Sequence, residues 1–221
     1  GQKQKLPVLI FSLEMGAEQL VQRMLGAEAK INIHDLRIGS FPQSSWEDLA
    51  EAAGRLSGYP IYIDDSSMLS TLEFRARCRR FKSRHKEIGL ILVDYLQLMN
   101  SSRRIDNKQQ EVAEISRALK GVARELNTPV IALSQLSRAV EQRTEKKPQL
   151  SDLRDSGAIE QDADTVMMLY RPGYYDSAAP GEEEDNRAYI NLGKNRNGPT
   201  GEVMLIFFRE FTRFVNPDRR F

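Results

Sequence analysis

The sequence has a single cysteine, Cys78, so no internal disulfide can form, which fits a reducing cytosol. It has no apolar run near the roughly 18 to 20 residues of a membrane span. Its start, Gly1–Lys5, lacks the apolar segment of a secretion signal. The expected setting is therefore cytoplasmic, with no membrane partner. Histidine is scarce: His34 and His85 stand without a second His or a Cys at ligand spacing, so no zinc site is expected and neither offers a general base. An excess of one charge is missing as well. The net charge is +1 over 221 residues, which gives no overall pull on a polyanion, so any DNA-binding surface needs locally concentrated basic residues.

What is present suits one large α/β domain. Apolar residues make up 40% of the chain and charged residues 29%, enough for a sizeable core under a solvated surface. The most informative stretch is Gly89–Met99, a nearly continuous apolar run broken by one acid. Such a run reads as a buried parallel strand carrying Asp94 at its C-terminal end, where open α/β sheets place their ligands. A carboxylate there, with no cation beside it in sequence, is costly to desolvate unless it faces a cleft or a metal. Mg²⁺ with a bound nucleotide is the usual solution.

Apolar runs and helical periods alternate along the chain, the pattern of a mostly parallel sheet flanked by helices. Strands are expected at 6–13, at 60–65, in the run ending at Asp94 and at 129–133, and helices at 17–30, 45–56 and 71–86. Between Asn107 and Leu126 the apolar residues Val112, Ile115, Leu119, Val122 and Leu126 step by three and four, one buried helical stripe. After a polar stretch from Leu136 to Asp155, late strands are expected at 165–170, 188–192 and 202–215. The last two make a hairpin around Asn195–Pro199. The polar loops 101–108 and 174–186 read as mobile. No repeat or linker divides the chain.

Several motifs together resemble a known family. Ser12-Leu-Glu-Met15, Val93-Asp-Tyr-Leu-Gln-Leu98, Asn107-Lys-Gln-Gln-Glu111 with Glu114-Ile-Ser-Arg117, Ser134-Gln-Leu-Ser-Arg138, Ser151-Asp-Leu-Arg-Asp-Ser-Gly157, Ile159-Glu-Gln-Asp-Ala-Asp164 and Lys194-Asn-Arg-Asn-Gly198 are similar to motifs of the C-terminal motor of DnaB-type replicative DNA helicases, in the family's order. Each is weak alone; the ordered set is strong. The resemblance implies a RecA-like motor domain over residues 1–221 that binds ATP and Mg²⁺. It also implies a homo-hexameric ring, single-stranded DNA as the track, a primase and a helicase loader as partners within a primosome, and a nucleoid-associated location. One departure stands out: no G-x-x-x-x-G-K-[ST] phosphate loop occurs. The expectation is an N-terminally incomplete motor, with its first strand and phosphate loop supplied by an upstream segment. A chain starting at Gly1 would then carry a slot in its sheet.

The resemblance also implies roles. Glu14, just past the first strand, would be the catalytic base that orients the attacking water; the alternative is a helix-start acid favoured by the macrodipole. Asp94 would hold Mg²⁺, the alternative being a buried structural acid. Gln135, after the strand at 129–133, would sense the γ-phosphate and relay its loss, although a Gln at a strand end is also an ordinary polar terminus. Lys194 and Arg196, two residues apart in an extended segment, would be fingers acting on the neighbouring subunit's γ-phosphate, whereas a solvated hairpin tip would look similar. Arg154, Asp155 and Gly157 would line the DNA path, Arg154 by charge, Gly157 through exposed backbone N–H groups and Asp155 by positioning its neighbours. Asp152 to Asp155 could equally cap a following helix.

The run of basic residues from Arg75 to Lys86 is set aside as a DNA groove. Leu72, Phe74, Cys78 and Phe81 lie among them, which reads as a solvated face over a packed stripe. Three other functions compete with the helicase: a recombinase-like or clock-like ATPase of the same fold, a non-catalytic DNA- or partner-binding module, and a metabolic nucleotide enzyme.

Overall fold

The computed structural model describes residues 5–175 and 185–217, without the side chains of residues 154–156. In chain order the elements are β1 (Val8–Ser12), α1 (Ala17–Ala29), α2 (Ile33–Ile38), α3 (Ser45–Ser57), β2 (Ile61–Asp64), α4 (Thr71–His85) and β3 (Leu90–Asp94). There follow α5 (Lys108–Leu126), β4 (Val130–Ala132), α6 (Gly157–Asp162), β5 (Thr165–Tyr170), β6 (Arg187–Asn195), β7 (Gly201–Phe208) and β8 (Arg213–Val215). These residues fall into two compact units. One comprises the chain up to Val21, Ala53–Leu136 and Asp155–Ala163; the other comprises Gln22–Ala52, Ser137–Arg154 and the chain from Asp164 onward.

The first unit is built on a parallel four-stranded sheet in the order β2-β1-β3-β4. Strands that are apolar along their whole length pack helices against the sheet, which is why they read as unbroken runs in the sequence. Phe11, Ile91 and Val93 are fully buried with Phe74, Cys78, Ile115 and Val122 in one core, and Phe74 meets Phe11 edge-on at 5.0 Å. All five residues of the expected stripe on α5 are buried. Asn107 caps that helix through its side chain, and Asn127 ends it in the left-handed region. The slot anticipated in the sheet is not seen among these four strands, which pair without a gap and leave β4 and β2 at the edges.

Helix α4 starts with a capping box: Ser70 accepts from the Glu73 N–H and the Glu73 carboxylate takes the Ser70 N–H at 3.0 Å. Phe74 and Cys78 are buried as expected of the stripe, but Leu72 is 68% exposed in the first turn. Three residues of the basic face make ion pairs. Arg75 and Arg79 both bind Glu125 of α5, and Arg77 grips Asp64 at 2.7 Å. Burial, with Asp64 close by, pushes the Cys78 thiol up to about 12.

The second unit holds an antiparallel sheet in the order β5-β6-β7-β8. The expected hairpin joins β6 to β7, with Leu192 opposite Gly201. The long strand anticipated at 202–215 is instead two strands, because the chain reverses after Phe208 and closes the turn with Thr212 at φ 48°. Gly193 has a packing reason: a Cβ there would stand 2.5 Å from the terminal methyl of Met168, which can swing aside, and 3.3 Å from the Leu150 side chain, so glycine lets Leu150 approach β6 closely. Helix α2, a short turn ending at Gly39 in the left-handed region, is not evident from sequence periodicity. No helix among the described residues is long and apolar enough to cross a membrane.

Candidate functional site

The site is organised by the parallel pairing of β1 with β3. Ser12 is the register partner of Asp94, and the Leu13 N–H donates to the Asp94 carbonyl at 2.8 Å. The two strand ends therefore leave the sheet side by side, and Glu14 and Asp94 follow from adjacent segments at the C-terminal edge of the first unit. Asp94 is half-buried and Glu14 exposed. The peptide between Asp94 and Tyr95 is cis.

The segment after β1 is fixed without using Glu14. The buried Ser12 hydroxyl donates to the Met15 carbonyl at 2.6 Å, and the Asp65 carboxylate accepts the Ala17 N–H at the start of α1 at 3.0 Å. Asp65 thus supplies a carboxylate at the start of α1. The stretch 60–65 ends in two acids, but nothing in its pattern singles out Asp65 for this contact.

Gln135 follows β4 in the same unit and is exposed. Its backbone is held by Gln97, a residue to which the sequence alone assigns no role. The Gln97 amide nitrogen donates to the Ser134 hydroxyl at 2.9 Å and to the Gln135 carbonyl at 3.1 Å, while its carbonyl oxygen accepts the Gln135 N–H at 3.3 Å. Its place in the motif Val93–Leu98 is the only signal, since hydrogen bonds across 38 residues leave no mark on periodicity.

Among the described residues no group of three or more His, Cys, Asp and Glu side chains gathers as a metal cage. Mg²⁺ keeps several waters and takes one or two protein carboxylates beside the substrate's phosphates, so a strand-end acid such as Asp94 could hold it.

The second unit carries Lys194 and Arg196. Lys194 lies in β6 opposite Val166, but the strand ends at Asn195 and Arg196 begins the turn, so the extended alternation expected of the pair stops one residue early. Two contacts place Arg196: its N–H donates to the Asp164 carbonyl at 2.8 Å, and its guanidinium pairs with the Asp164 carboxylate at 3.3 Å, both side chains 49% exposed.

The polar segment before Arg154 is braced by Asp152. Its buried carboxylate accepts from the Arg143 guanidinium at 2.5 Å and from the Gln149 N–H at 2.7 Å. Asp152 therefore caps its own short helical segment, Leu150–Ser156, rather than α6. The side chains of Arg154 and Asp155 lie outside those described; Gly157 opens α6 and is exposed.

Comparison with known proteins follows the same line. Residues 1–216 match the family described as DnaB-like helicase C terminal domain. The chain is 56% identical over 215 residues to "Replicative DNA helicase DnaC" of Bacillus subtilis (strain 168), covering 97% of this chain and 46% of that protein. It is 53% identical, with the same coverage, to "Replicative DNA helicase DnaB" of Geobacillus stearothermophilus. The chain thus spans about half the length of these relatives. Among solved structures, "The Structure Of A DnaB-Like Replicative Helicase And Its Interactions With Primase" superposes with a TM-score of 0.89 at 39% identity, covering 96% of this chain and 51% of that one. A solved ATPase domain gives the same score and identity, over 96% of this chain and 75% of that one.

Proposed function

Because the chain belongs to the DnaB-like helicase C-terminal domain family, we propose that it is the motor part of a replicative DNA helicase, hydrolysing ATP at the subunit interfaces of a homo-hexameric ring and drawing single-stranded DNA through it. The two compact units act as one RecA-like motor domain. The observation that carries this reading is the Ser12–Asp94 register, which sends Glu14 and Asp94 out of the sheet from adjacent strand ends. When bound, Mg²⁺·ATP supplies a γ-phosphoryl group with its charge partly neutralised. Asp94 holds the metal, directly or through water, and Glu14 orients the attacking water and takes its proton. Gln135 senses the γ-phosphate, and Lys194 and Arg196 reach the phosphates bound by the neighbouring protomer. Arg154, Asp155 and Gly157 engage DNA phosphates, which gives affinity without reading sequence.

The family resemblance, together with the solved DnaB-like helicase described with its primase interactions, supports a primase as one partner, and a loader is the other partner in this reading. The test uses a chain of the relatives' full length that carries a phosphate loop. Single-stranded DNA should stimulate its ATP hydrolysis and it should unwind a forked duplex. Glu14→Gln should bind nucleotide normally and lose roughly a hundredfold or more in turnover. DNA-stimulated hydrolysis without unwinding would favour a recombinase-like ATPase, and turnover indifferent to DNA would defeat the motor reading altogether.

A further inference from the structure

Beyond the residues assigned so far, the geometry points to Gln97 as a positioning residue that couples the metal-bearing strand end to Gln135. This rests on Gln135 being the phosphate sensor. The backbone ladder between β3 and β4 continues past both strands: the Leu133 N–H donates to the Val93 carbonyl at 2.9 Å and the Leu96 N–H to the Leu133 carbonyl at 3.0 Å. There the backbone pairing ends. The Gln97 side chain takes over, offering donor and acceptor to the Ser134–Gln135 segment as another strand would.

Gln97 is itself immobilised. It sits in the tight turn Leu96–Leu98, whose neighbours Leu96 and Met99 are buried in the core and whose Leu98 N–H donates to the Tyr95 carbonyl at 3.1 Å. It lies three residues beyond Asp94, so a movement of that strand end carries its amide along. The contacts made by Gln97 go to the Gln135 backbone and to Ser134, leaving the Gln135 side chain available to a ligand. One amide therefore fixes where the sensor starts from and offers a hydrogen-bonded path from the Asp94 strand end to it.

A residue acting through Gln135 and a residue that merely stiffens the fold differ in additivity. In a chain of the relatives' full length that carries a phosphate loop, DNA-stimulated ATPase turnover and nucleotide affinity are measured for Gln97→Leu, Gln135→Ala and the double variant. Gln97→Leu should lower stimulated turnover by about tenfold while nucleotide affinity changes less than about twofold, and should add almost nothing in the Gln135→Ala background. An equal loss in both backgrounds overturns the coupling role, as does unchanged turnover in Gln97→Leu. If Gln135→Ala alone leaves stimulated turnover intact, the sensor reading itself falls, and this inference with it. Ser134→Ala removes only the hydroxyl that accepts from Gln97, and keeps the test open should the leucine variant fail to fold. The same non-additive pattern at smaller size is expected of it, and full additivity would again overturn the role.

Discussion

Ser12 and Asp94 are register partners in the parallel β1–β3 pair, joined by the Leu13 N–H donating to the Asp94 carbonyl at 2.8 Å. In the proposed motor these two acids would serve distinct ends, Asp94 toward a metal and Glu14 toward water. Their substitutions should therefore separate. Asp94→Asn removes the metal-side charge, so the Mg²⁺ concentration giving half-maximal ATPase activity should rise by about tenfold or more. Glu14→Gln should leave that concentration nearly unchanged and lower only the maximal rate. Equal Mg²⁺ requirements in the two variants would remove Asp94 from the metal site.

Arg196 begins the turn between β6 and β7, with Asp164 as its partner at 3.3 Å on a half-exposed surface. An ion pair so exposed contributes little to stability. Arg196→Ala should lower ATPase turnover by roughly 10³-fold with nucleotide affinity nearly intact. If the finger acts on a neighbour, mixing Arg196→Ala subunits with Glu14→Gln subunits should regain activity. In such a ring some interfaces pair a native Glu14 with a native Arg196. Failure of any mixing ratio to exceed the separate variants would place Arg196 in its own subunit's site or in none.

The Arg154 segment stands on a braced turn, because Asp152 ties Arg143 and the Gln149 N–H together just before it. A basic residue held there can meet a phosphate without reading a base. Arg154→Ala should weaken single-stranded DNA binding for all sequences alike and reduce the slope of log affinity against log salt by about one. A salt titration by fluorescence anisotropy measures this, and an unchanged slope would take Arg154 out of the DNA path.

Periodicity made much of the fold legible. The stripe from Val112 to Leu126 needs only the helical repeat, and the strand around Asp94 only an apolar run, because both express burial of the chain's own neighbours. The β6–β7 hairpin showed through turn chemistry at Asn195–Pro199. What stayed hidden depends on partners far away in sequence. Leu72 looked like part of a packed stripe, yet in the first turn of α4 it faces solvent. The break after Phe208 needs a left-handed Thr212, a conformation that a run of strand-forming residues does not announce. In the site, Asp94 stood out at the end of a recognisable strand, whereas Glu14, just past one, gained its role from the family resemblance. The Gln97 clamp, the Asp65 cap and the Arg143–Asp152 brace are side-chain pairings that propensity does not encode.

The Asp64–Arg77 pair gives the first unit a stability that depends on pH. Burial by itself would raise the Asp64 carboxyl, but hydrogen bonds from Ser66 and the Arg77 guanidinium outweigh it and hold the group below its ordinary value. A carboxyl depressed in the folded state binds its proton more readily once the chain unfolds. The pair therefore stabilises fully above the ordinary value of 3.8 and loses that contribution as the pH falls through the lower folded value. Arg77→Ala should cost about 1–2 kcal/mol near neutral pH, since both side chains are mostly buried and the bond is charge-assisted. That difference should shrink as the pH falls below the ordinary 3.8 and through the lower folded value, where the native protein takes up the Asp64 proton. Urea unfolding of the two proteins at pH 7, at pH 5 and in steps below 3.8 measures it. A gap that stays constant down to the lowest pH would mean that Arg77 acts through its packing against Asp64 and Ser66 rather than through charge.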